Sequence, residues 1–341
     1  MTSTMRAEAL AIPGRIARAL AGQGEVIAAV AGQIRAFAPT GVVTVARGTS
    51  DHAADYALRL IARETGLIGA SLPPSLVTLG PRALRFEGRL VLALSQSGRS
   101  PDLVQTVTAA RAGGALTVAV VNAPQSPLAD AAERVVAADA GPEHAVAATK
   151  SYVLTLLQVA RLVAAWAGDD DLARALPALP TALAAGAAAD WHPLVDALED
   201  AGSLFVVGRG LAHATAREAA LKLKETCRVH AEAVSGAEIM HGPKALLDAV
   251  QPLLLCAGPD VPAAVHRATA GELAALTRRL HVLGAVDAGC GLHLRAPPAP
   301  APVLQPLVDI VPFYLAAEAL SRRRGLSPDA PRHLRKVTET R

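Results

Sequence analysis

Aromatic side chains are scarce in this sequence: two Trp, three Tyr and four Phe in 341 residues, or 3%. Ala, Leu and Val must fill the cores, and little is left for stacking nucleic-acid bases. Charge is scarce too, at 18% of residues with a net +3, which argues against a broad nucleic-acid surface. The three cysteines, Cys227, Cys256 and Cys290, are odd in number and widely spaced. They form no disulfide framework or paired-cysteine metal motif, so the expected location is the reducing cytoplasm. The ten histidines are scattered, with no His-Glu-x-x-His or Cys-x-x-Cys spacing, and no metal is expected. No Walker sequence occurs, and Gly208-Arg209-Gly210 is only a fragment of a dinucleotide fingerprint, so no cofactor is expected. A Gly-x-Ser-x-Gly hydrolase elbow is also missing. The start, Met1 to Arg6, lacks an apolar signal core. The most apolar helical stretch, about Ser151 to Trp166, is interrupted by Gln158 and Arg161. It reads as a buried helix, so no membrane partner is expected.

What is present is apolar and periodic. Hydrophobic residues make up 52% of the chain, and the length fits two ordinary domains. Residues 5–36 read as helical with a break at Pro13. Short apolar runs then alternate with helical patterns. Val42–Ala46, Leu90–Leu94, Leu116–Val121 and Val135–Ala138 read as strands, with helices over His52–Thr65, Pro101–Ala112 and Ser126–Ala132. This alternation predicts an α/β fold with mainly parallel sheets between helices. The Asp-, Ala- and Pro-rich stretch Gly168–Pro193 reads as a domain boundary, and the pattern then restarts. Strands are predicted at Leu204–Val207, Leu253–Cys256 and His281–Val286, with helices at Ala214–Lys224 and about Val308 to Arg324. The expected division is an N-terminal helical segment (1–36), a first domain (37–170), a second domain (171–328) and a tail (329–341).

The restart reads as an internal repeat. Val45-Ala46-Arg47-Gly48 resembles Val207-Gly208-Arg209-Gly210, and Leu92-Ala93-Leu94-Ser95 sits where the second half has Leu254-Leu255-Cys256-Ala257. The halves then diverge. Ser95-Gln96-Ser97-Gly98-Arg99-Ser100-Pro101 follows a strand and opens a helix, where free N–H groups and the dipole attract phosphate. Thr49-Ser50 adds two hydroxyls after the first strand. Serines also cap helices, but two hydroxyl-rich loops at one sheet edge favour binding.

A second group of residues carries charge. Glu218, Lys222 and Glu225 lie at spacings of four and three, on one helical face. On spacing alone the reading is a solvated, salt-bridged surface. His241 in His241-Gly242-Pro243-Lys244 falls on a predicted loop, and Lys336 in the basic tail; spacing singles out neither.

Seven motifs in order change this reading. They are Gly48-Thr49-Ser50, Leu94 to Gly98, Ala147-Ala148-Thr149-Lys150, Glu218 to Glu225, His230-Ala231-Glu232-Ala233, His241-Gly242-Pro243 and Pro331 to Thr338. Together they resemble the isomerase half of glutamine–fructose-6-phosphate aminotransferase, a pair of sugar isomerase (SIS) domains. Met5 to Pro13 looks like that half's leading segment. The resemblance implies two flavodoxin-like SIS domains, each a parallel five-stranded sheet between helices. It implies phosphate contacts from Ser50, Ser95, Gln96, Ser97 and Ser100, and a sugar contact at Val146. It makes Glu225 the carboxylate that moves a proton between the first two sugar carbons. His241 would open the ring from the partner subunit of a homodimer, and Lys336 would form a Schiff base with the keto sugar. Glu218 and Lys222 would support that centre.

These residue types suit the chemistry. Carbon-to-carbon proton transfer wants a carboxylate within reach of both carbons, and imidazole shuttles protons near neutral pH. The sequence also departs from the family. Ser100 and Ala148 stand where the synthase has Thr and Ser, and Arg335 replaces a small residue beside Lys336. The SIS pair begins almost at Met1, so neither glutamine hydrolysis nor ammonia channelling is expected. The leading expectation is a glucosamine-6-phosphate deaminase yielding fructose 6-phosphate and ammonia. The alternatives are a fructosamine-phosphate deglycase, another sugar-phosphate isomerase, or a non-enzymatic sugar-phosphate sensor.

Overall fold

Parallel strands cannot be joined by tight hairpins, so each pair needs a crossover, and here helices or helical turns supply most of them. The structure, a computed structural model, describes residues 2–336. The strands are β1 (Gly41–Val45), β2 (Gly69–Ser71), β3 (Arg89–Ser95), β4 (Leu116–Val121), β5 (Arg134–Ala137), β6 (Ser203–Gly208), β7 (His230–Ser235), β8 (Leu253–Cys256), β9 (Leu280–Gly284) and β10 (Leu292–Arg295). They form two five-stranded sheets, ordered β2-β1-β3-β4-β5 and β10-β9-β8-β6-β7. Every pairing is parallel. Reversed, the second order is the first with each strand number raised by five, so β1 matches β6 and β3 matches β8. The α/β fold read from the sequence, with helices flanking each sheet, is the fold observed.

The chain forms two compact units. The first-sheet unit holds Gly14–Glu143, Lys150–Pro177 and, among the described residues, Arg335 and Lys336. The second-sheet unit holds residues 2–13, His144–Thr149 and Ala178–Leu334. Central strands are buried along nearly their whole length, including all of β4 and β9. Sheets covered on both faces select such continuous apolar runs. Val91, Ala93, Val107 and Ala119 centre one core; Val207, Leu253, Leu255 and Val282 centre the other.

Local differences from the sequence reading have physical causes. Residues 5–36 form three helices, Thr4–Leu10, Ile12–Ala21 and Gly24–Phe37. Pro13 lies in the first turn of the second helix, where its missing N–H costs nothing, so the break comes before it. The chain also breaks at Gln23, which takes a left-handed φ of 62°. Gly168–Pro193 is largely helical, because Pro180 and Pro193 likewise sit in first turns. Strands β2, β7 and β10 were not expected. All three are sheet edges with partly exposed residues, and so lack a continuous apolar run. Among the described residues, one helical stretch, Pro302–Arg323, has the length and apolarity to cross a membrane, but 89% of its apolar window is buried within the protein.

Asp309 and His281 are among the ionisable groups buried in the second-sheet unit. Asp309 is 2% exposed, and burial pushes its carboxyl up to about 7. The hydrogen bond from Gln305 Nε2 opposes this shift, and the charge of Asp260 adds to it. His281 is 7% exposed, and burial, assisted by the charge of Arg279, drops its imidazole to about 4. Between pH 3.8 and about 7, folded Asp309 keeps a proton that the unfolded chain has lost, so stability falls as pH rises. Between about 4 and 6.5 the unfolded chain holds a proton that folded His281 lacks, so stability falls as pH drops. Asp309→Asn should therefore gain, on the order of a few kcal/mol relative to the native protein, on going from pH 4 to pH 8. Thermal melts across that range test it, and parallel curves for the two proteins would refute the burial effect.

Candidate functional site

In the first sheet β1 lies between β2 and β3, so successive connections leave in opposite directions. The crevice at such a switch point lies beyond the carboxyl ends of β1 and β3, which pair in register at Val45 and Ala93. Thr49 and Ser50 open the helix Thr49–Thr65 after β1. Ser95, Gln96, Ser97 and Ser100 run from the end of β3 into the helix Pro101–Ala112. The two hydroxyl-rich loops are therefore neighbours. Arg47 joins them: its Nε and Nη2 donate to Asp102 Oδ2 at 3.0 and 2.8 Å. Asp102 is 2% exposed and also accepts from Leu103 N.

The loop is built by its own bonds. Ser95 Oγ accepts from Gly98 N at 3.0 Å, and Ser97 Oγ accepts from Arg99 N at 3.3 Å. Ser100 occupies the N-cap position, yet its side chain caps nothing. Among the described residues, no intramolecular hydrogen bond holds the side chains of Ser50, Gln96 or Ser100. A caps-only reading accounts for Ser95 and Ser97 and leaves these three polar groups over. Gly98 has φ 63°, and a Cβ there would overlap Ser126 Oγ and lie 2.7 Å from Ser126 Cβ. Only glycine fits.

The second half treats the equivalent place differently. Asp260, after β8, turns back so that its Oδ2 accepts from Leu211 N at 2.7 Å, at the start of the helix Ala212–Cys227. One half presents hydroxyls after β3, and the other folds the carboxylate that follows β8 onto the start of the helix after β6.

That second helix carries the charged ladder. Ala214, Ala216, Ala219, Ala220 and Leu223 are buried along it. Lys222 is fully buried, with Nζ 3.5 Å from Glu218 Oε1 and 2.5 Å from Glu225 Oε2. Glu218 is fully buried too and accepts from Tyr314 Oη at 3.1 Å. Glu225 is the outer rung, its side chain 21% exposed. The solvated-surface alternative is thus excluded for Glu218 and Lys222. A carboxylate held by a buried ammonium, with one side open, is suited to proton transfer. A cavity of about 180 Å³ borders Glu225, with Arg228, Ser327 and Arg332 in its wall.

The other expected residues lie apart from this ladder in the bonding pattern. His241 ends a 3₁₀ turn, Glu238–His241, rather than lying on a loop, and is exposed. Among the described residues its ring has no hydrogen-bond partner. Val146 N donates to Asp329 O at 3.2 Å. Lys336 belongs to the first-sheet unit, where its Nζ lies 3.0 Å from Glu143 Oε2. Of the tail motif, Val337 and Thr338 lie outside the described residues.

Three acidic residues around these positions were missed. Glu143 is fully buried at its side chain and receives Lys336. Glu8 is 6% exposed and accepts from His144 N at 2.7 Å and Ala145 N at 3.3 Å, bracing the loop that carries Val146. Asp329 accepts from Thr4 N and Met5 N at 2.8 and 2.7 Å. Met5–Pro13 was visible as a motif, but nothing in its spacing told of these bonds. Among the described residues, no group of three His, Cys, Asp or Glu side chains is placed to hold a metal ion.

Two stability effects follow. Gly98→Ala should cost about 1–3 kcal/mol, and adding Ser126→Ala should not restore it, since Ser126 Cβ obstructs as well. Denaturant melts decide, and rescue by the double variant would contradict the packing described. Lys222→Met removes the buried ammonium beside Glu218 and Glu225 and should cost about 3–5 kcal/mol. Adding Glu218→Gln should recover most of that; no recovery would mean the ladder is not a charge-balanced unit.

Comparison with known proteins follows this geometry. The SIS domain family model matches residues 40–165 and 197–317. The glutamine–fructose-6-phosphate aminotransferase of Methanothermobacter thermautotrophicus is 33% identical over 303 residues, covering 86% of this chain and 50% of that protein. The chain spans about half the length of the curated relatives it matches. A crystal structure of a candidate phosphosugar isomerase from Silicibacter pomeroyi DSS-3 is 38% identical, with a TM-score of 0.87, and covers 96% of this chain and 100% of that one. A glucosamine-6-phosphate deaminase from Thermotoga maritima has the same fold, with a TM-score of 0.78 at 19% identity, covering 99% of this chain and 100% of that one.

Proposed function

The chain belongs to the SIS-domain family, and from that premise we propose that it is an enzyme acting on an amino-sugar phosphate, converting glucosamine 6-phosphate and water to fructose 6-phosphate and ammonia. The observation that carries this reading is the ladder Glu218–Lys222–Glu225, whose outer carboxylate alone is partly open. A sensor of sugar phosphates would have no use for a buried ammonium aimed at an accessible carboxylate.

Ser50, Ser95, Gln96, Ser97 and Ser100, with Thr49, hold the phosphate at the start of the helix Pro101–Ala112. His241 of a second copy in a homodimer opens the sugar ring. Glu225 takes the proton from carbon two and returns it to carbon one. The resulting imine at carbon two is hydrolysed to the ketone with release of ammonia. Lys336 engages the keto carbon, and Val146 contacts the sugar. The three free cysteines support a reducing, cytoplasmic setting.

A second reading has one observation in its favour. The cavity beside Glu225, bordered by Arg228 and Arg332, has room and charge for an amino-acid carboxylate. A fructosamine-phosphate deglycase would use it.

Ammonia release from glucosamine 6-phosphate tests the first reading. Glu225→Gln should lower kcat by roughly 100-fold or more while KM changes little. Release of a free amino acid from a fructosamine phosphate, with no ammonia from the amino sugar, would replace the deaminase by the deglycase.

A further inference from the structure

Glu143 is a fully buried carboxylate outside the expected site, and its surroundings fix it closely. It follows Gly141, whose carbonyl oxygen accepts from Asn122 Nδ2 at 3.0 Å, while Asn122 Oδ1 accepts from Ala140 N at 2.8 Å. Asn122 directly follows β4, so the sheet itself braces this loop. Glu143 Oε1 accepts from Ser151 N at 3.1 Å, and Oε2 accepts from Ser151 Oγ at 2.7 Å. Ser151 lies in the first turn of the 18-residue helix Lys150–Ala167, whose dipole favours an anion there. Oε2 then receives Lys336 Nζ at 3.0 Å. The lysine follows an exposed stretch, Arg332 to Arg335.

We propose that Glu143 is the positioning residue for Lys336, fixing where its amine stands and taking the proton that the amine must lose before it reacts. This deepens the proposed function and rests on its assignment of Lys336 to the keto carbon. In the step it serves, one ammonium proton passes to the Glu143 carboxylate. The freed nitrogen pair forms a C–N bond to the carbonyl carbon. The carbinolamine then loses water, carrying off the carbonyl oxygen, to leave an imine. A buried carboxylate with two donors from Ser151 and one from Lys336 meets both needs of that amine: a fixed place and an adjacent proton acceptor.

The test combines kinetics with two chemical probes of Lys336. Steady-state turnover of glucosamine 6-phosphate gives kcat and KM. Fructose 6-phosphate with cyanoborohydride as hydride donor reduces any imine to a stable amine on Lys336, read by peptide mass spectrometry. Acetic anhydride acylation reports the accessibility of Lys336 without any sugar. Glu143→Gln keeps the shape but accepts no proton. It should lower kcat and the Lys336 adduct by about tenfold or more, keep KM within about threefold, and make Lys336 acylate several-fold faster. Glu143→Asp should recover part of the loss, and Ser151→Ala, which removes one of the carboxylate's donors, should show a weaker form of it if Glu143→Gln fails to fold. Unchanged acylation and unchanged kcat in the variants would overturn the proposal. If the native protein neither turns over nor forms the adduct, the functional reading fails, and faster acylation in Glu143→Gln would still establish that the carboxylate holds the amine.

Discussion

An ammonium group with no exposure to solvent is the most demanding object in this molecule. Lys222 lies fully buried between Glu218 and Glu225, four residues before and three after on one helix, and a buried ammonium is costly without such partners. That need constrains much else. The helix Ala212–Cys227 must keep its small faces, Ala214, Ala216, Ala219 and Ala220, so that its neighbours come close enough to bury the ladder. Tyr314, on the helix Gln305–Arg323, must donate to Glu218, since a buried carboxylate with unmet acceptors is costly. The outer rung then inherits a fixed direction, which an exposed glutamate would lack.

The chain repeats one α/β unit in two sheets of the same strand order, but the halves differ at the same edge. After β3 the loop keeps unsatisfied side-chain polar groups at a helix start. After β8 Asp260 instead puts negative charge at the start of the helix Ala212–Cys227, which follows β6. The first arrangement invites an anion and the second repels one. The difference needs no change in the fold, because both loops hang from the carboxyl ends of equivalent strands.

Much of this was legible in the residues. Continuous apolar runs such as Leu116–Val121 gave the central strands, and the spacing of Glu218, Lys222 and Glu225 gave one helical face. Burial was not legible, for the same spacing suits a solvated surface; it took the packing of the second sheet's helices to remove that alternative. Edge strands β2, β7 and β10 hid because half of each faces water. Glu143, Glu8 and Asp329 hid for a different reason. Each meets partners more than a hundred residues away, and no local period records a contact of that kind.

The separation of Asp329 from Met5 along the chain also bears on how the protein is made. Asp329 accepts from the first turn of the helix Thr4–Leu10 and, through its carbonyl, from Val146, so three distant stretches meet at one residue. Translation proceeds at about 5–20 residues per second, so the leading helix must wait tens of seconds for its partner to leave the ribosome. The first sheet, by contrast, has all its strands by residue 137. Its strands can pair while the second half is still being synthesised, whereas the helix Thr4–Leu10 lacks Asp329 until that residue has emerged. That interval is when a chaperone would find Met5 and its neighbours exposed.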